Sequence, residues 1–157
     1  MSIVMVVMVL FSIGGVGDAG AQTSSPRFGT WKLKGAESNL RGPKSLTRID
    51  EPSEDGGVKV TYEGIEADGS RIAYSYTAKY DGKEYRPSGV GMGNGWETIS
   101  LRLLDDYSWE ATLKRGGKVI SRVKVVVSKD GKTMTQTVNG TNPAGQPTQN
   151  VSVWEKQ

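Results

Sequence analysis

Three Asp-Gly pairs, at residues 55–56, 68–69 and 81–82, stand thirteen residues apart, and a Gly-Gly pair at 116–117 and another Asp-Gly at 130–131 continue the series. Each separates short runs in which apolar and polar residues alternate. Asp-Gly and Gly-Gly suit tight hairpins because such turns need positive φ, which glycine adopts without a Cβ clash. A chain punctuated this often predicts antiparallel strands laid down in sequence order, with no helix between them.

Period-2 alternation then places the strands. In 58–64, Val58, Val60 and Tyr62 alternate with Lys59, Thr61 and Glu63, the pattern of a strand buried on one face. In 71–79, Ile72, Tyr74 and Tyr76 share a face. The other expected strands are 29–34, 45–50, 83–87, 96–103, 107–114, 118–127, 132–139 and 148–156. Within 118–127, Val119, Val123, Val125 and Val127 are expected on one face, with Ile120 and Val126 on the other. Residues 35–44 read as a loop, and the glycine-rich 88–95 as a mobile one. The fold class is therefore all-β, an antiparallel up-and-down meander of about ten strands. A flat meander exposes two edges; pairing the first strand with the last removes them, giving a closed barrel. A two-sheet sandwich is the alternative, since it shares the same strand periodicity.

The start of the chain reads differently. Ile3 to Phe11 is an apolar run, followed by small residues ending in Ala19-Gly20-Ala21. This is the pattern of a secretory signal peptide, although no Lys or Arg precedes the run. It is shorter than the roughly 20 residues a bilayer-spanning helix needs. The expected organisation is a signal peptide at 1–21, a flexible lead-in at 22–28 and a single β-barrel domain at 29–157. The expected location is periplasmic or secreted after cleavage near Ala21, with no membrane span in the mature chain.

Composition narrows the chemistry. All 20 Lys and Arg, and all but Asp18 of the 17 acids, follow Ala21, a surplus of four positive charges. The two signs are interleaved, so the electrostatic footprint of a nucleic-acid-binding surface is missing. The chain has no Cys and no His, which removes disulfides, thiol chemistry and the commonest general base and metal ligand. No carboxylate pair stands apart from the solvated ones. A non-enzymatic protein with no metal and no cofactor is expected.

At Gly29-Thr30-Trp31 the first strand opens with the Gly-x-Trp that resembles lipocalins and the wider calycin group. Val151-Ser152-Val153-Trp154-Glu155-Lys156 resembles the final strand of fatty-acid-binding proteins. Gly29-Thr30-Trp31-Lys32-Leu33, the run from Tyr76 to Lys83 and the run from Val127 to Thr135 also resemble a family of small exported bacterial proteins of unknown function. The resemblance implies a lipocalin-like barrel with an interior ligand site. It does not imply the fatty-acid mode: residues 35–44 are too short and broken for the helical lid, and Ser152 stands where the last-strand Arg would be.

The expected function is binding of a small apolar or amphipathic molecule inside the barrel, in a cavity of roughly 300 Å³ or more. The alternatives are a scaffold acting through its outer surface and, behind it, an enzyme working without His or Cys. Trp31, Tyr62, Tyr74, Tyr76, Trp96 and Trp109 are the candidate lining, with plain core packing as the competing role. Hydrophobic residues are only 36% of the chain, a thin core that favours a partly wet interior. Arg102 and Arg122 are candidates for pairing an anionic ligand. Arg102 would do so if Leu101 and Leu103 face outward; otherwise both are solvent-facing charges.

Overall fold

A computed structural model describes residues 25–35, 42–142 and 144–157. The expected signal peptide, the first part of the lead-in and most of the 35–44 loop lie outside the described residues. Ten strands follow in order: β1 (Gly29–Leu33), β2 (Ser45–Pro52), β3 (Val58–Ile65), β4 (Arg71–Ala78), β5 (Ser88–Val90), β6 (Thr98–Asp105), β7 (Ser108–Arg115), β8 (Lys118–Val127), β9 (Thr133–Thr141) and β10 (Pro147–Lys156). A 3₁₀ turn, Gly93–Gly95, lies between β5 and β6.

Turn chemistry sets the strand ends. Gly116 and Gly117 both have positive φ, +57° and +74°, which lets two residues join β7 to β8. Elsewhere an aspartate closes the turn with its own side chain: Asp68 accepts from the Ser70 N–H at 2.8 Å, Asp81 from Lys83 at 3.0 Å, Asp105 from Tyr107 at 2.7 Å and Asp130 from Lys132 at 3.1 Å.

All pairings are antiparallel and belong to one sheet, in the order β5-β4-β3-β2-β1-β10-β9-β8-β7-β6. It is a strongly curled up-and-down meander, barrel-like rather than a two-sheet sandwich. β1 and β10 pair at its middle, with Trp31 opposite Lys156 and Leu33 opposite Trp154. The edges are β5 and β6. The curl brings β6 against the stretch after β4, where Tyr85 and Ile99 exchange backbone hydrogen bonds of 2.8 and 2.9 Å and Gly82 donates to Leu101. Glu84 adds side-chain links to Thr98 at 2.9 Å and Lys114 at 2.6 Å. These are isolated bridges, not a ladder.

The structure corrects three local expectations. Residues 83–87 form no strand, and the loop expected at 88–95 contains β5, a three-residue strand on β4 that begins just after Pro87. Pro87 has no N–H to donate. Gly89, at φ +120°, then lets the backbone run against the Ala73 carbonyl, where any Cβ would overlap it. In β8 the partners step from Leu113–Ser121 to Lys114–Val119, so Ile120 is an extra residue. This bulge turns Val119 outward, 41% exposed, and leaves Ile120 packed against the core. Residues 25–28, expected as part of a flexible lead-in, form a turn in which Phe28 donates to the Ser25 carbonyl and packs on the core.

The inward side chains of the curled sheet make a single core, with Trp31, Trp109, Trp154, Leu101 and Met134 among its most deeply buried members.

Two outcomes follow from these turns. Gly89→Ala combines disfavoured φ with a backbone overlap and lowers stability by about 2 kcal/mol or more, whereas Gly131→Ala, with open space around it, costs about 1 kcal/mol. Urea unfolding reads both, and equal costs would reject the close approach of β5 to β4. The second outcome concerns acid. Hydrogen bonds from Ser70 to Asp68, from Lys83 to Asp81, from Tyr107 to Asp105 and from Ser128 to Asp130 hold these carboxyls below their ordinary 3.8. As pH falls the unfolded chain takes up these protons first, so the stability they add above about pH 4 is lost as pH drops through the lower folded values. The urea midpoint therefore falls between about pH 5 and about pH 2, and Asp68→Asn/Asp105→Asn/Asp130→Asn flattens that slope. An unchanged slope would show that the turns do not carry it.

Candidate functional site

Register decides which side chains meet inside. Residues directly opposite in an antiparallel pair share a face. Trp31 is opposite Arg48, Arg48 is opposite Tyr62, and Tyr62 is opposite Tyr74. From the other half, Trp109 is opposite Val125, Val125 is opposite Gln136, and Gln136 is opposite Ser152. These two rows face one another across the barrel interior.

Between them lies a cavity of about 190 Å³, lined by Leu46, Arg48, Tyr62, Tyr74, Tyr76, Trp96, Ile99, Trp109, Ala111, Leu113, Val123, Val125, Gln136, Val138, Ser152 and Trp154. It falls short of the roughly 300 Å³ expected. Trp109 and Trp154, each 2% exposed, occupy interior volume that a larger ligand would need. Tyr62 stacks on Tyr74 with ring centroids 4.7 Å apart, and Trp96 stands edge-on to both Tyr74 and Tyr76 at 6.0 Å. A larger groove of about 790 Å³, lined by charges of both signs including Arg27, Asp106, Lys129 and Asp130, is open to solvent.

Five of the eight candidate residues thus line the cavity: Tyr62, Tyr74, Tyr76, Trp96 and Trp109. Trp31 does not. It is fully buried in the core, with Lys156 Nζ 5.0 Å from its ring centroid and its Nε1 without a hydrogen-bond partner among the described residues. Arg102 and Arg122 are exposed on the outer face. Leu101 is only 1% exposed and points inward, so strand alternation sends Arg102 outward. Arg122 sits between Ser121 and Val123 and is likewise displaced to the outside.

The polar centre of the cavity consists of residues not singled out from sequence. Arg48 and Asp50 are each 3% exposed. Arg48 Nε donates to Asp50 Oδ1 at 2.7 Å, and Nη1 donates to the Tyr62 hydroxyl at 2.9 Å. Gln136 Nε2 also donates to that hydroxyl, at 3.4 Å. The guanidinium carbon lies 5.5 Å from the Tyr62 ring centroid and 5.6 Å from that of Trp109. Nη2 has no hydrogen-bond partner among the described residues. Ser152 Oγ accepts from Trp154 Nε1 at 3.0 Å. One signal was available: in Leu46-Thr47-Arg48-Ile49-Asp50, opposite charges stand two residues apart and so share a face.

Burial opposes both charges of this pair. At Arg48 it is outweighed by Asp50 and then by Tyr62 and Tyr76, and the guanidinium is held well above its ordinary range. At Asp50 burial outweighs Arg48, and the carboxyl is raised above its ordinary value. Burial also pushes the Tyr74 and Tyr76 phenols well up, so both stay protonated. Among the described residues no group of three acidic side chains gathers as a metal-ligand set. Comparison of the chain with protein-family models, with curated proteins and with solved structures gives no match.

Removing one partner of a buried pair leaves the other charge uncompensated. Asp50→Asn is therefore expected to destabilise the fold by about 3 kcal/mol, while Arg48→Met/Asp50→Leu, which removes both charges, loses much less. Urea unfolding of the two variants decides it; a double variant as unstable as the single would show that the pair is not the source.

Proposed function

We propose that the protein is an exported, lipocalin-like binding protein that holds one small apolar or amphipathic molecule inside its barrel. The observation that carries this reading is the interior cavity, walled by stacked aromatic rings and by an arginine with a free nitrogen. Its volume sets the ligand at the scale of a single ring, since apolar cavities of ~150 Å³ take up benzene. The apolar run and small-residue site at 1–21 support export. A scaffold role through the outer surface draws on Leu103, Leu104 and Val126, which are 38%, 40% and 41% exposed on β6 and β8, the two strands that flank β7. Three exposed side chains make a smaller apolar patch than partner-binding surfaces present.

Native mass spectrometry of the protein purified from its own host tests the reading. The expected result is a chain beginning at Gln22 that carries one small molecule, released on activation. A preparation that is bare under the gentlest conditions would overturn it.

A further inference from the structure

The cavity is unevenly supplied with hydrogen-bonding groups. Tyr74 and Tyr76 have hydroxyls without a partner among the described residues, as do Trp96 Nε1 and Arg48 Nη2. The Tyr62 oxygen already accepts from Arg48 and Gln136, so its remaining capacity is its own proton. Ser152 Oγ accepts from Trp154, leaving its proton to donate. With the Trp109 indole N–H, which also has no partner among the described residues, seven side chains around one small space thus have an N–H or O–H to give. Against them, the Gln136 carbonyl is the lone group in the lining that can only accept. A ligand that covers these donors without matching them is penalised, so the occupant that fits supplies acceptor atoms.

Charge narrows the occupant further. Arg48 is the cation of the lining, and Asp50 already compensates it at 2.7 Å, so the interior is neutral. An anionic ligand would add a buried charge with no free counter-charge, at a cost that a neutral acceptor avoids. Ile99, Ala111, Leu113 and Val123 give the rest of the wall an apolar surface. Resting on the proposed function, we infer that the ligand is an uncharged molecule of single-ring size that presents a carbonyl-type acceptor to the donors around Arg48 and Tyr62. The raised tyrosine pKa values agree, because these phenols remain donors at neutral pH.

Three probes of matched size test this by titration calorimetry at pH 7: acetophenone, benzoate and cumene. Acetophenone is expected to bind at least tenfold more tightly than benzoate. Tyr74→Phe/Tyr76→Phe deletes two hydroxyls that hold no internal hydrogen bond. It is expected to weaken acetophenone about tenfold, as loss of two neutral hydrogen bonds would, and to change cumene less than about twofold. Benzoate binding as tightly as acetophenone, or equal losses for acetophenone and cumene in the variant, would overturn the inference while leaving an apolar cavity in place. Failure of all three probes to bind would remove the cavity reading itself.

Discussion

The fold depends on a short pairing between its first and last strands. β1 is five residues long, yet it joins β2 on one side and β10 on the other. Backbone bonds from Lys34 to the Val153 carbonyl at 2.8 Å and from Gln157 to the Thr30 carbonyl at 2.9 Å extend the contact at both ends. Remove β1 and the sheet is left as two hairpin arrays, β2 to β5 and β6 to β10, joined by the isolated bridges between 81–85 and β6. Trp31, fully buried, and Trp154, 2% exposed, fill the interior at this junction. The pairing closes most of the chain into one loop, and that entropic cost grows only logarithmically with loop length. A few well-packed residues can therefore hold the junction.

Joining the chain ends in the middle of the sheet moves the edges to β5 and β6, which are neighbours in sequence. A long open edge would be a template for pairing with another chain. Here β5 is only three residues long, and the edge of β6 is occupied by Gly82 and Tyr85 through three backbone bonds. Glu84 spans from this stretch to Thr98 and Lys114. The hydrogen bonds from Lys114 and Thr98 lower its pKa, so the link is anionic at neutral pH. The seam is thus closed by side chains where the backbone ladder is missing.

The parts legible in the sequence are those where one strand obeys one rule. Val58, Val60 and Tyr62, and Ile72 and Tyr76, alternate without interruption and are all buried. Pairing of the first and last strands followed from the need to cover edges, and it is observed. Sequence reasoning failed where strand geometry is broken. Ile120 adds a residue that reverses the facing of Val119, and nothing in ten apolar-rich residues marks which one bulges. Pro87 was visible, but Gly89 has its role because of the Ala73 carbonyl, which is distant in sequence. Tyr62, Tyr74, Tyr76, Trp96 and Trp109 were read as lining from their type and spacing. Arg102 was a candidate only on a facing that the burial of Leu101 reverses, and Arg122 is exposed on the outer face.

The largest departure from pattern is β2, and it falls at the cavity. Hydrophobicity alone would turn Ile49 inward and Arg48 and Asp50 out to water. The observed register does the opposite, and a slip of one residue would restore the apolar choice. What holds the register is the neighbours on both sides: Trp31 and Tyr62 are opposite Arg48, and Val60 is opposite Asp50, all on the buried face. Burying this pair gives little net stability compared with a hydrophobic replacement. The arrangement is then poorly accounted for by folding alone. Places where a sequence violates its local pattern and is overruled by the surrounding packing concentrate at functional sites. In this barrel the violation puts a compensated cation, with one nitrogen still unbonded, against a space of about 190 Å³ walled by tyrosine and tryptophan rings. A filled barrel would need neither the pair nor the space.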